Sequence, residues 1–300
     1  MNRERMIMAD DKRYKTEWSF DFSTIGEKIA DWARSIGLND EEAVRQSTFT
    51  EARDDAASAA VTLEFSVGKV RVHSITTTNL IEADVTHVGE IQFDVQRSEV
   101  GGRPHRQIYL HQSGQASDWL RNVFGWIGSG QRLSWDVGLT TGLPLELVIR
   151  GGTGKAEYDL QALTVTDLRV NTGIGEVNLI LPGGKYPARI ECGTGKVDLI
   201  VPQGAEIDLD VQAGTGEVNL EIGEDAAVLA RVNAGVGTFT IRSPHSGETR
   251  IEVQRGLGAQ HFAERFIRQS DSIWQTAGYD AASRRTTIFY RAGVGTLNVR

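Results

Sequence analysis

The chain has 300 residues, of which 40% are hydrophobic, and a formal net charge of −8. That apolar content can bury a core in one long domain or two ordinary ones, which excludes a wholly disordered polymer. The acidic balance, with no local block of Lys and Arg, excludes long-range attraction to phosphate backbones, so no nucleic-acid partner is expected.

The 33 glycines come with only 6 prolines, a balance that points to many tight turns in an all-β protein. A single cysteine, Cys192, cannot close an intramolecular disulfide, so the fold does not depend on an oxidising compartment. Residues 1–18 are charged throughout, and no run elsewhere reaches the ~20 apolar residues of a membrane span. The expectation is a cytoplasmic protein with no transmembrane segment. Nothing in the sequence supports peripheral contact with a membrane or a glycan.

Residues 14–22 carry Tyr14, Thr16, Trp18, Phe20 and Phe22 in one phase of an alternation, which predicts a strand. Thr24 and Glu27 then make a capping box. Ile25, Ile29, Trp32, Ala33 and Ile36 form one helical stripe, and Gly37 supplies a stop, so a helix is predicted over 25–36. Its polar face mixes Glu27, Lys28, Asp31 and Arg34 and lacks the basic enrichment of a membrane-binding helix. Residues 39–58 are acidic and alanine-rich and read as a linker or a second, weaker helix. The predicted organisation is an N-terminal strand, helix and linker over 1–58 and a main domain over 59–300.

From about residue 60 the chain repeats. A Gly-x-Gly element begins at Gly152, Gly173, Gly193, Gly214 and Gly235, at spacings of 21, 20, 21 and 21 residues, and returns at Gly293. Weaker copies stand at Ser66-Val67-Gly68 and His87-Val88-Gly89. Each copy lies between two short runs that alternate apolar and polar, the signature of strands with one buried face. Leu168, Val170 and Thr172 align with Ala188, Ile190 and Cys192 and with Leu209, Val211 and Ala213. On the far side of the glycines, Val177 and Leu179 align with Val197 and Leu199, Val218 and Leu220, Phe239 and Ile241, and Leu297 and Val299. An outward column reads Asn178, Asp198, Asn219, Thr240 and Asn298.

Stacking is testable in the residue after the second glycine, which reads Lys155, Glu176, Lys196, Glu217 in successive copies. Strands about 4.8 Å apart would set opposite charges side by side. Lys69 and Glu90 repeat the alternation upstream. The corners call for glycine because they need positive φ, and a second corner is marked by Leu181-Pro182-Gly183-Gly184 and Val201-Pro202-Gln203-Gly204. A coil of about 21 residues thus holds two strands and two turns, and the predicted architecture is an all-β β-solenoid. An antiparallel meander of hairpins is the rival. Because a solenoid end exposes open strands and core, the N-terminal strand and helix are read as its cap.

Two segments break the period. Over 100–145, strands are predicted at 106–111 and 133–137, flanking a loop with Trp119, Phe124, Trp126 and Ile127. With Trp32 of the helix, these are the candidate partner-binding residues. Over 243–287 lie Phe262, Phe266, Ile267, Ile273, Trp274 and Tyr279, with at least one strand expected around 265–274.

Catalytic and cofactor patterns are missing. Gly-Thr-Gly-Lys at 152–155 and 193–196 lacks the Ser or Thr of a phosphate loop and is followed by a strand. His73, His87, His105, His111, His245 and His261 show no metal-ligand spacing and read as surface residues. Cys192 reads as buried and inert. Glu176, Asp198, Asp210 and Glu217 spread along solvent faces, with no pocket to separate their pKa values. No enzyme, cofactor or metal is expected.

The repeated G-x-G-[EK]-V-[ND]-L unit, with Gly278-Tyr279-Asp280-Ala281-Ala282 and the closing Ala292-Gly293-Val294-Gly295-Thr296-Leu297, resembles the toast-rack family of adhesin-like β-solenoids over residues 60–300. Relatives include soluble bacterial proteins and C-terminal domains of membrane proteins tied to cell-envelope stress. The resemblance implies a non-catalytic scaffold or protein-interaction module, with a protein partner or self-association, and supplies no catalytic residues. The alternatives are a self-assembling structural protein and a glycan-binding solenoid.

Overall fold

The computed structural model of the chain describes residues 44–113, 133–254, 256–291 and 293–300. The strand expected over 14–22 and the helix over 25–36 lie outside them, as do Trp32, Trp119, Phe124, Trp126 and Ile127.

Strands dominate the described residues. β1 (Arg45–Ala52), β2 (Ser58–Glu64), β3 (Val67–Ile75), β4 (Asn79–His87), β5 (Glu90–Val100) and β6 (Arg103–Ser113) come first. β7 (Ser134–Thr140), β8 (Pro144–Arg150) and β9 (Thr153–Asp159) follow. Two long strands, β10 (Thr164–Ile180) and β11 (Lys185–Val201), occupy the middle. Next are β12 (Glu206–Gln212), β13 (Thr215–Ile222), β14 (Ala227–Asn233), β15 (Val236–Arg242), β16 (Glu248–Gln254) and β17 (Leu257–Phe262). β18 (Ile267–Arg268), β19 (Ile273–Gln275), a 3-10 turn at Tyr279–Ala281, β20 (Arg285–Arg291) and β21 (Val294–Val299) complete the chain.

The strands stack in parallel on two faces joined at the glycine corners. One face runs β6, β2, β8, the first half of β10, the first half of β11, β12, β14, β20, β16. The other runs β7, β3, β9, the second halves of β10 and β11, β13, β15, β21, β17. The parallel pairing of consecutive coils rules out the meander. The inward residues make continuous columns. On one face Leu168, Ala188, Leu209, Ala230 and Ile288 alternate large and small above Leu147, and Tyr158, Leu179, Leu199, Leu220, Ile241 and Val299 line the other. Each is essentially buried, and burying one such leucine stabilises by roughly 1.5–3 kcal/mol.

Two distinct constraints fix the corner glycines. The second of each pair has positive φ, 133° at Gly195. The first does not, yet a Cβ on Gly193 would stand 2.0 Å from the Gly173 carbonyl oxygen, so close approach of successive coils excludes a side chain there. At the other corner Leu181 and Val201 are buried, and the Tyr186 hydroxyl donates to the Pro182 carbonyl at 2.8 Å.

Several expectations need correction. Of the segment 39–58, the described residues 44–58 are not a linker or helix, because β1 lies within them and pairs antiparallel with β4, its Thr and Phe residues suiting a half-buried edge. His87-Val88-Gly89 is a turn between β4 and β5 and not a coil corner. β4 runs antiparallel to β7, and β5 folds onto β6 through Gly101-Gly102, both at positive φ in a two-residue hairpin. Lys69 therefore stacks on Lys155 rather than facing Glu90, and its charge is met by Glu157 at 3.6 Å. The interruption placed at 243–287 opens with a regular coil, β16 and β17, whose corner is Gly256-Leu257-Gly258. Around 265–274, by contrast, the expectation of at least one strand holds, since β18 and β19 form a short hairpin there with β19 antiparallel to β16.

Chain order and stacking order differ at both ends. β2/β3 sits between β6/β7 and β8/β9, and the last coil, β20/β21, sits between β14/β15 and β16/β17.

Candidate interaction surface

In-register stacking builds the outer faces from files of side chains. Glu176 lies beside both Lys155 and Lys196, and Lys196 lies beside Glu217. Lys155 Nζ is 3.9 Å from the Glu176 carboxylate, and Lys196 reaches Asp198 on its own strand at 3.5 Å. These pairs are well exposed, so each adds only a few tenths of a kcal/mol to about 1 kcal/mol; they fix register more than stability. The neighbouring column, expected to face solvent, is in part covered. Asn219 and Thr240 are buried, and the Asn219 amide donates to Asp198 at 2.8 Å and to Glu217 at 2.7 Å. On the other face Arg231 meets Asp208 at 2.6 Å. The Lys185 ammonium hydrogen-bonds Glu206 and holds that carboxyl below the usual range.

The polar groups singled out by chemistry do not converge. His73 pairs with Asp136 at 3.0 Å, and His111 packs on Tyr109 with ring centroids 4.3 Å apart. His87 and His105 are buried, contrary to the surface reading, because each has a hydroxyl partner that satisfies it. His105 Nδ1 lies 2.8 Å from Ser58 Oγ, and His105 and His111 are not brought together. Burial lowers the His87 pKa, so the ring is neutral at pH 7. Its Nδ1–H then donates to the Gly89 carbonyl at 3.1 Å, leaving Nε2 to accept from Ser47 Oγ at 2.9 Å. Burial pushes the Cys192 thiol up to about 12. Both Gly-Thr-Gly-Lys segments lead into strands, with each lysine held in the charge file. Among the described residues no group of three or more His, Cys, Asp or Glu is placed to hold a metal ion, and no helix is long and apolar enough to cross a membrane.

The two ends of the stack are finished differently. At the β6/β7 end, Phe49 of β1 and Phe93 of β5 meet with ring centroids 5.4 Å apart, and Glu51 binds Arg97 at 2.9 Å, so the two outer strands close over the core. At the other end Phe262 stacks flat on Trp274, centroids 4.3 Å apart, with Phe266 edge-on at 6.1 Å. The aromatic residues of 243–287 are thus largely a plug. Beside it β17 pairs with β21 on one side, and Leu257 through His261 are exposed. The sequence signal for this coil was the 21-residue step from Gly235 to Gly256.

Parallel coils on two faces, corner glycines in file and ion pairs between coils define a β-solenoid-like stacked-coil protein. Residues 39–200 match the family model of the N-terminal domain of toast_rack, DUF2154, which spans β1 through most of β11. The chain belongs to that family. It is also similar to a "putative cell adhesion protein" from Clostridium sporogenes ATCC 15579, with 20% identity and a TM-score of 0.41 over 86% of this chain and 99% of that one. A "putative adhesin" from Bacteroides fragilis NCTC 9343 matches with 10% identity and a TM-score of 0.35 over 88% of this chain and 100% of that one. No curated protein matches.

Proposed function

We propose that the chain is a non-catalytic, adhesin-like interaction scaffold whose outward files of side chains meet a protein partner. One observation carries this reading. The ionisable side chains are spread along flat faces at strand spacing, many of them beside an opposite charge on a neighbouring coil or on their own strand, as in the Lys155, Glu176, Lys196, Glu217 file. A catalytic site would instead gather such groups in a pocket that drives their pKa values apart. Membership of the toast-rack family supports the same reading. A finer role, accessory to bacterial cell-envelope stress, rests on the family resemblance; a cytoplasmic location is part of the proposal and does not rest on that resemblance.

Titration of the labelled full chain onto the envelope fraction of its source organism tests the proposal. Saturable binding is expected, weakened about tenfold or more by K155E combined with K196E while far-UV circular dichroism stays unchanged. Binding that never saturates, or that ignores the charge reversals, contradicts it.

A further inference from the structure

Four strands end the two faces. On one face these are β5 and β18, and on the other β1 and β17. Exposed edges invite pairing with another chain, and proteins blunt them with charge, proline or shortness. β5 carries Glu90, Asp94, Arg97 and Glu99, β1 carries Arg45 and Glu51, and β18 is two residues long with Arg268. β17, Leu-Gly-Ala-Gln-His-Phe, has six residues, no Asp, Glu, Lys or Arg, and no proline.

The direction of its open hydrogen-bonding groups follows from its partners. The Leu257 amide donates to the Gly293 carbonyl and the Ala263 amide to the Val299 carbonyl, both toward β21. By alternation the N–H and C=O of Gly258, Gln260 and Phe262 point away from the stack, with no strand beside them among the described residues. Two further features converge here. Gln260 stacks on Leu297, at the end of a column that reads Val177, Val197, Val218, Phe239, Leu297, and it is exposed. At the corner, Val236, Val294 and Leu257 stand in file on adjacent coils, 53%, 51% and 74% exposed, whereas earlier in the file Thr194 and Thr215 follow a single exposed Ile174. Contiguous apolar exposure of this kind marks a contact surface.

We propose that β17 is a self-association edge that pairs antiparallel with β17 of a second copy, across a two-fold axis at Gln260. Only registers that match outward-pointing residues can form the hydrogen bonds. The one with the longest overlap sets Gly258 against the partner's Phe262, Ala259 against the partner's His261, and the two Gln260 residues against each other. In this register the two-fold axis sets the residue at position 260 against its own copy, so a charge there would repel itself. A side-chain amide on the axis avoids this, because an amide is both donor and acceptor and complements its own copy. The same requirement explains a polar residue at the end of an apolar column. Head-to-tail joining would instead bring β17 against the charged strands β1 and β5, which close the other end. The inference deepens the scaffold reading by naming one surface and its partner.

Light scattering and sedimentation of the full chain, with the Cys192→Ala, Gln260→Cys variant under mild oxidation, test it. The expected results are a dimer, a disulfide between copies at position 260, and a dissociation constant at least about tenfold weaker in Gln260→Lys with an unchanged melting curve. The outward N–H of residue 260 makes Gln260→Pro a second variant that disrupts pairing while β17 stays bonded to β21. A monomer at concentrations up to about 100 µM, open filaments, or a dimer that Gln260→Lys leaves intact would each overturn the proposal. None of these outcomes bears on binding to envelope fractions, so the two readings fail separately.

Discussion

Gly195→Val is expected to destabilise the protein by about 4 kcal/mol or more, measured by urea unfolding followed by far-UV circular dichroism. Two independent penalties combine there. Gly195 has φ of 133°, which a β-branched residue does not adopt without strain, and a Cβ would stand 2.0 Å from the Gly175 carbonyl oxygen. Backbone lies on the other side of that contact, so no side chain can turn aside. The position is mid-stack, and forcing coils apart there costs inward columns on both faces. Gly183→Ala is the control. Its Cβ meets nothing within 4 Å, and the change is expected to stay within about 0.5 kcal/mol. Similar losses from both substitutions would mean that glycine is needed for turn flexibility and not for close stacking.

The second large effect separates inward from outward columns on one strand. Leu179 is fully buried between Tyr158 and Leu199 on the neighbouring coils, whereas adjacent Asn178 is exposed. Leu179→Ala removes buried methyl groups and leaves a cavity that rigid coils on either side cannot fill, a loss of about 2–5 kcal/mol. Asn178→Ala should change stability by no more than about 0.5 kcal/mol. Equal effects in the same urea titration would contradict the assignment of faces.

The parallel stack was legible because glycine, apolar and charged residues each repeat at one period, and coincidence of three periodicities is hard to obtain from hairpins. Leu181-Pro182 and Val201-Pro202 marked the second corner for the same reason. The stacking order was not legible. A coil closing with Val294 at its corner fits equally well above Val236 or above Leu257, so periodicity cannot show that β21 lies between β15 and β17. The β17 coil went unread because Gln260 stands where the pattern demands an apolar residue. That departure is what marks it as an edge. β4 and β5 misled in the opposite way. Gly89 supplied the corner residue, at φ of 79°, but in a turn to an antiparallel strand. In β1 the polar run Gln46, Ser47, Thr48 hid a strand whose burial comes from β4 and from Phe93. The buried histidines were missed because their hydroxyl partners, Ser47 and Ser58, are 40 and 47 residues away in sequence.

Cysteine pairs on the outer face of the last coils test register and order together. In a Cys192→Ala background, cysteines at Thr238 and Thr296, and at Thr296 and Ala259, fall on neighbouring strands as direct partners. Neighbouring strands lie about 4.8 Å apart, within disulfide range. Cysteines at Thr238 and Ala259 are 21 residues apart in sequence but separated by a whole coil, about 9.6 Å, beyond that range. Disulfides in the first two pairs and none in the third are the predicted result. A disulfide between positions 238 and 259, with none to position 296, would contradict it.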